Sequence, residues 1–359
     1  MTSTDPPLGP ALLTLATGAA GAALAAFLHM PAPFIIGPAL SVTIAALAGL
    51  RAELPRGFRD TCFMVMGVNL GASVTPEAID TAIRWPLSLV VLTISVLTII
   101  GLGARLLRRL FGFDPMSALL TATPGHLSFV LSLSTDLRAD LPRVTMIQTV
   151  RVLALILLVP FLAPLLGHGD LPALPPQTAP AMSLLVLVPL LALAGTLGLA
   201  LDRLRVPAGL LLGGMGLSAL GHATGTVSGA VPAWLSVPAF IAMGTLIGTR
   251  FSGVTPRMLL QSLGAASLLT GFAALVSLVA AALVAKLLGL PMLSALIAFA
   301  PGGLETMMAM SLLLNADPAY VTTHHVFRLL MLTVALPLLV ARTRARLARE
   351  AAPAPPPPG

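Results

Sequence analysis

The stretch "FAPGGLETMMAM" (residues 299–310) sets Pro301, Gly302 and Gly303 in the middle of an apolar run and follows them with a carboxylate, Glu305. Proline ends a helix, and glycine admits backbone conformations closed to other residues, so this run is not one straight helix. The same interruption stands 177 residues earlier: "SALLTATPGHLSFVLSLSTDLRADLPRVTMIQTVRVLALILLVP" (117–160) pairs without a gap with "SALIAFAPGGLETMMAMSLLLNADPAYVTTHHVFRLLMLTVALP" (294–337). In so apolar a chain, Leu and Ala matches carry little information. The informative pairs are Pro124 with Pro301, Gly125 with Gly302, Asp140 with Asp317, Thr145 with Thr322, Arg151 with Arg328, and Pro160 with Pro337. Upstream, "MGVNLGASVTP" (66–76) echoes "MGTLIGTRFSGVTP" (243–256), and "MPAPFIIGP" (30–38) echoes "VPAGLLLGG" (206–214). The chain is written twice, and the repeat covers nearly all of it.

Of the 359 residues, 57% are hydrophobic and only 9% charged, where soluble domains carry about 25% charged residues. Apolar stretches near the ~20 residues that a bilayer requires recur from residue 10 to residue 341. The composition specifies an all-α polytopic membrane protein. Its formal net charge of +7 comes almost wholly from arginines scattered in short loops; there they set orientation and give no reason to expect nucleic acid. The single cysteine, Cys62, excludes an internal disulfide and a Cys-rich metal centre. No basic segment precedes the first apolar run, which is read as a retained span rather than a signal peptide. The expected organisation is a first membrane repeat over 10–166, a periplasmic linker over 167–180, a second membrane repeat over 181–343, and a Pro/Ala-rich cytoplasmic tail over 344–359, expected to be disordered.

Each copy holds six apolar segments. If all twelve cross, the copies are parallel. If the fifth segment of each copy enters and leaves on one side, each copy crosses five times and the copies are inverted. The arginines distinguish the two plans, because basic residues concentrate on the cytoplasmic side. With the C-terminal arginine cluster placed inside, twelve spans give 11 basic loop residues inside against 7 outside, whereas the re-entrant plan gives 16 against 2. The expectation is ten spans plus two re-entrant segments, in two inverted repeats of five transmembrane helices, with both termini cytoplasmic. Non-helical backbone at membrane depth needs protein or a water-filled cavity around it. Two such breaks at corresponding positions of inverted repeats point to a transporter binding site near the midplane.

The residues around the breaks suggest its chemistry. Free amides after Gly125 and Gly302, in the segment containing His126 and Gly303, would begin half-helices and attract anions. Arg151 and Arg328, equivalent residues within the last span of each copy, would add permanent positive charge and bind a carboxylate bidentately, or else snorkel to the interface or pair with Glu305 or Asp136. Glu305, on the first turn after the second break, is the candidate proton-coupling group, with His325 beside it. His324 is expected on the helix face of Arg328. The histidines lack metal-ligand spacing, so no metal site and no cofactor is expected. Asp140 and Asp317 read as helix N-caps, and Gly67 and Gly71 as a close-packing pair.

The doubled "APGGLETM"-like segment, followed by an Asp and an intramembrane Arg, resembles the bacterial AbrB duplication family of inner-membrane proteins. The second copy carries the clearer form; in the first, His126 replaces the second glycine and Ser128 replaces the glutamate. The resemblance implies a bacterial plasma-membrane protein with a duplicated domain. Members have been labelled regulators of gene expression and also candidate ammonia monooxygenases, and the family is similar in plan to inverted-repeat secondary transporters. The expected function is transport of a small anionic solute, such as a carboxylate, by alternating access with proton coupling at Glu305. The alternatives are a membrane-embedded regulator acting through a partner protein and a metal-dependent monooxygenase. A non-enzymatic role is expected, with the bilayer, the solute and protons as partners and a homodimer left open.

Overall fold

The computed structural model describes residues 8–72, 85–125, 127–137, 139–162, 180–204, 206 and 208–351. Among them the only regular structure beyond helix is an isolated bridge between Ala181 and Ala230. The first half comprises α1 (Leu8–Phe27), α2 (Pro33–Leu47), α3 (Arg56–Gly71), α4 (Trp85–Phe111), α5 (Pro115–Ala122), α6 (Leu127–Asp136) and α7 (Leu141–Leu162). The second comprises α8 (Leu184–Arg203), α9 (Gly209–Ala223), α10 (Ala233–Thr249), α11 (Pro256–Leu288), α12 (Met292–Phe299), α13 (Leu304–Leu313) and α14 (Pro318–Ala351). Helices α1, α4, α7, α8, α11 and α14 are long and apolar enough to cross a membrane. The chain is an all-α polytopic membrane protein.

The short elements repeat in register. Helices α5 and α12 match at both ends with the 177-residue offset, as do α6 and α13, and α7 and α14 start at that offset. Ala32 before α2 and Ala208 before α9 share the same uncommon left-handed backbone, with φ of 47° and 56°. Packing repeats too: α3 lies against α9 and α10 against α2. Both contacts run through glycine pairs spaced four apart. A Cβ at Gly67 or Gly71 would strike the Leu211 or Met215 carbonyl oxygen, and one at Gly244 or Gly248 would strike Ile35 or Val42. Small residues let these short helices approach backbone to backbone.

The breaks at the fifth segments form hairpins. Asp114 caps α5 by accepting from the Met116 and Ser117 amides at 3.0 and 2.9 Å, and Pro124 stops the helix eight residues later. The amide of Asp140, past the end of α6, donates to Ser117 Oγ at the start of α5 at 2.8 Å. Farther along, Gln148 Nε2 on α7 donates to the Leu120 carbonyl at 3.0 Å. Helix α5 and the first half of α7 therefore rise side by side, and α6 returns the chain to the level where α5 began. The second half does the same, with the Asp317 amide on Ser294 Oγ at 3.0 Å and His325 Nε2 on the Ile297 carbonyl at 3.0 Å. Each fifth segment thus ends at the level where it began, as a hairpin does.

At the ends of the chain, one expectation is corrected and two fall on residues outside those described. The tail expected to be disordered from residue 344 is helical as far as Ala351. Ala, Arg, Leu and Glu are strong helix formers, and Arg346 pairs with Glu350 one turn on at 2.7 Å. Residues 352–359, and the linker except Pro180, are outside the described residues. Pro180 accepts from the Ala230 amide at 2.9 Å, tying the start of the second half to the loop after α9.

Candidate functional site

The tips of the hairpins meet the two intramembrane arginines. Arg328 is 1% exposed. Its Nη1 donates to the Ala300 carbonyl and its Nη2 to the Gly302 carbonyl, both at 2.7 Å, and Nη2 also donates to His325 Nδ1 at 2.8 Å. The guanidinium thus satisfies the carbonyls that α12 leaves free where Pro301 ends it. Arg151, also 1% exposed, is the counterpart. Its Nη2 donates to Gln148 Oε1 and, at 3.4 Å, to the Thr123 carbonyl. Gln148 in turn donates to the carbonyls of Leu120, Thr121 and Thr123 at 3.0, 3.3 and 2.8 Å. The pair Gln148–Arg151 and the pair His325–Arg328 do the same work at the same offset.

The two sites form one region. Gly125, at the first tip, rests against the Arg328 guanidinium of the other half with no room for a Cβ. Gly125 is also the tip residue that uses its conformational freedom, at φ 90°. The second tip differs from expectation here: Gly303 has φ −72° and serves as the N-cap of α13, and Gly302 is not among the positive-φ residues. Among the described side chains neither arginine is bonded to a carboxylate, so an Arg328–Glu305 ion pair is not realised; the Asp136 side chain lies outside those described. Among the described residues, Arg151 Nε and Nη1 and Arg328 Nε are buried without a hydrogen-bond partner. Buried cationic donors in low dielectric favour a negative charge beside them.

Glu305 lies on the first turn of α13 and is half-buried. Its charge is felt by Arg250, at the end of α10. In the sequence Arg250 reads as a loop charge that only sets topology. A signal of its closer role is nonetheless present: both charges vanish from the first copy, where the corresponding residues are Ser128 and Ser73.

The histidines are placed differently from the helical-face expectation. His325, rather than His324, joins Arg328. Its Nε2–H faces the Ile297 carbonyl and its Nδ1 lone pair accepts from Arg328. With that lone pair occupied, a proton on His325 would oppose the guanidinium, so in this geometry His325 supports Arg328. His324 turns away to α4. There Ser88 Oγ bridges the Tyr320 hydroxyl at 2.5 Å and His324 Nε2 at 2.7 Å, beneath Trp85. In the other half this volume is a cavity of about 460 Å³ lined by Phe111, Phe113, Arg143 and Ser262. Ser262 is the counterpart of Trp85, and Arg143 that of Tyr320. His126 lies outside the described residues. Among them no group of three His, Cys, Asp or Glu side chains is arranged to hold a metal.

The comparisons with known proteins follow this geometry. The family described as "Transition state regulatory protein AbrB" matches residues 34–344. A protein of Escherichia coli (strain K12) named "Putative regulator AbrB" is 25% identical over 322 residues, covering 87% of this chain and 90% of its own. "Uncharacterized protein YhjN" of Bacillus subtilis (strain 168) is 27% identical over 302 residues, covering 76% of this chain and 75% of its own.

Proposed function

The chain belongs to the AbrB family, and from that premise we propose that it is a secondary transporter of a small anionic solute, a carboxylate or similar oxyanion. The observation that carries the reading is the pair of buried guanidiniums at the meeting hairpin tips, with three nitrogens that make no hydrogen bond among the described residues. Each half has five crossing elements and one hairpin, an odd number of crossings, so the halves are inverted and the hairpins reach the tips from opposite faces. This is the plan of alternating-access carriers. Glu305, whose charge Arg250 feels, is the proton-coupling group. The protein sits in the inner membrane with both termini cytoplasmic. No residue is assigned a catalytic role.

The second reading is a membrane-embedded regulator that signals through a partner protein. The name of the family and that of the Escherichia coli relative favour it. The experiment that separates the two is solute uptake by the purified protein in vesicles under an imposed pH gradient. Uptake of small carboxylates that is lost in Arg151→Met, and uncoupled from the gradient in Glu305→Gln, is the expected result. Absence of flux for every anion tried, with partner-dependent gene regulation intact, would establish the regulator instead.

A further inference from the structure

The last helices of the two halves border equivalent lateral grooves, one beside α4 and α14 and one beside α11 and α7. Their floors correspond residue by residue: Leu97 with Ala274, Ile100 with Ser277, and Leu119 with Leu296. Both floors are chiefly apolar, as a lipid-facing groove must be. The rims differ. The first groove, about 370 Å³, is bordered by Arg105 and Arg108 from α4 and by Arg342 and Arg346 from α14. The counterparts of Arg105 and Arg108 are Ala282 and Ala285, and the second groove, about 170 Å³, has no basic lining residue.

Arg346 is paired with Glu350, whereas Arg105, Arg108 and Arg342 have no acidic partner among the described residues. All four arginines stand where α4 and α14 change from apolar to basic sequence, the depth at which a bilayer changes from chains to headgroups. We infer that this groove is a binding site for an anionic phospholipid, with an acyl chain on the floor and the phosphate between the arginines of α4 and α14. Charge complementarity selects the headgroup, and the apolar floor selects a lipid over a soluble anion. A bound lipid would join α14, which carries Arg328, to α4.

The full chain, purified in neutral detergent, is titrated with phosphatidylglycerol and with phosphatidylcholine of the same acyl chains, and bound lipid is counted by mass spectrometry of the intact protein. Phosphatidylglycerol is expected to bind the more tightly. Arg105→Gln combined with Arg342→Gln should weaken it roughly 30-fold, the effect of two arginines at a membrane surface. Gly101→Phe is a second variant that leaves every charge in place. No atom lies within 4 Å of a Cβ at Gly101, which lines the groove, so the ring enters open space and should exclude the acyl chain. Equal binding of the two lipids overturns the proposal. So does an equal loss in a control pair outside the groove, Arg51→Gln with Arg257→Gln. So does binding unaffected by both groove variants, or displacement of the lipid by millimolar inorganic phosphate, which would make the occupant a soluble anion.

Discussion

At the scale of the residue, Arg151 and Arg328 occupy equivalent places and are held unequally. Arg328 ties down two hairpin carbonyls and a histidine, whereas Arg151 has two nitrogens without a partner. Arg328→Met should therefore cost about 3 kcal/mol of stability, since hydrogen bonds to a charged group are worth about 1.5–3 each. Arg151→Met should change stability by less than about 1 kcal/mol, because it removes a charge whose burial is poorly compensated, and should abolish anion binding. Thermal unfolding of the two variants, with and without a small carboxylate, checks both statements. Gln148 and His325 are interchangeable by the same reasoning, since each bridges an arginine to the first leg of its own hairpin. His325→Gln should unfold within a few degrees of the native protein, and His325→Ala should lose about 1–3 kcal/mol through unpaired groups. The sequence marked both arginines, because a charge inside an apolar span is costly and here it recurs at the offset of the repeat. It did not mark their partners, because backbone carbonyls leave no signature in side-chain identity.

At the scale of the element, the hairpins were legible because Pro-Gly within an apolar segment is a local signal, and the doubled segment supplied its own control. Which histidine faces the arginine was not legible. Residues three and four positions away lie on nearly the same helix face, and only packing against α4 and α12 separates His324 from His325. Packing also separates the halves at α4 and α11. Trp85 fills, beside Tyr320 and His324, the volume that Ser262 leaves open beside Arg143 and Ile147. Ser262→Trp should occupy that cavity and raise stability by about 0.5–2 kcal/mol, the usual range for filling a void. Denaturant unfolding in detergent measures the gain, and a loss would mean that the two volumes differ in shape.

At the scale of the whole molecule, the arrangement proposed for the halves makes an accessibility prediction. In a chain where Cys62 has been replaced by alanine, single cysteines are placed at Leu141, at the start of α7, and at Asn315, before α14; both native residues are exposed. An impermeant thiol reagent applied to intact cells should label the cysteine at 315 and not the one at 141. Labelling of both, or of neither, would put the hairpins on one side. The arginine count in the loops is the argument for the proposed topology, because it sums over the chain and tolerates errors at single boundaries. The helical reach of α14 to Ala351 escaped the same reading, since a Pro-rich end disguised eight ordinary helix-forming residues. The unpaired guanidiniums also have a consequence for the membrane potential. In the transport cycle proposed above, an empty site would carry the two guanidinium charges, a monoanion would leave one, and a dianion none. Each charge carried through the whole field is worth about 2.3 kcal/mol per 100 mV. The return of the empty carrier and the passage of the loaded one would therefore respond to voltage by different amounts, and the valence of the solute would decide which of them limits the cycle.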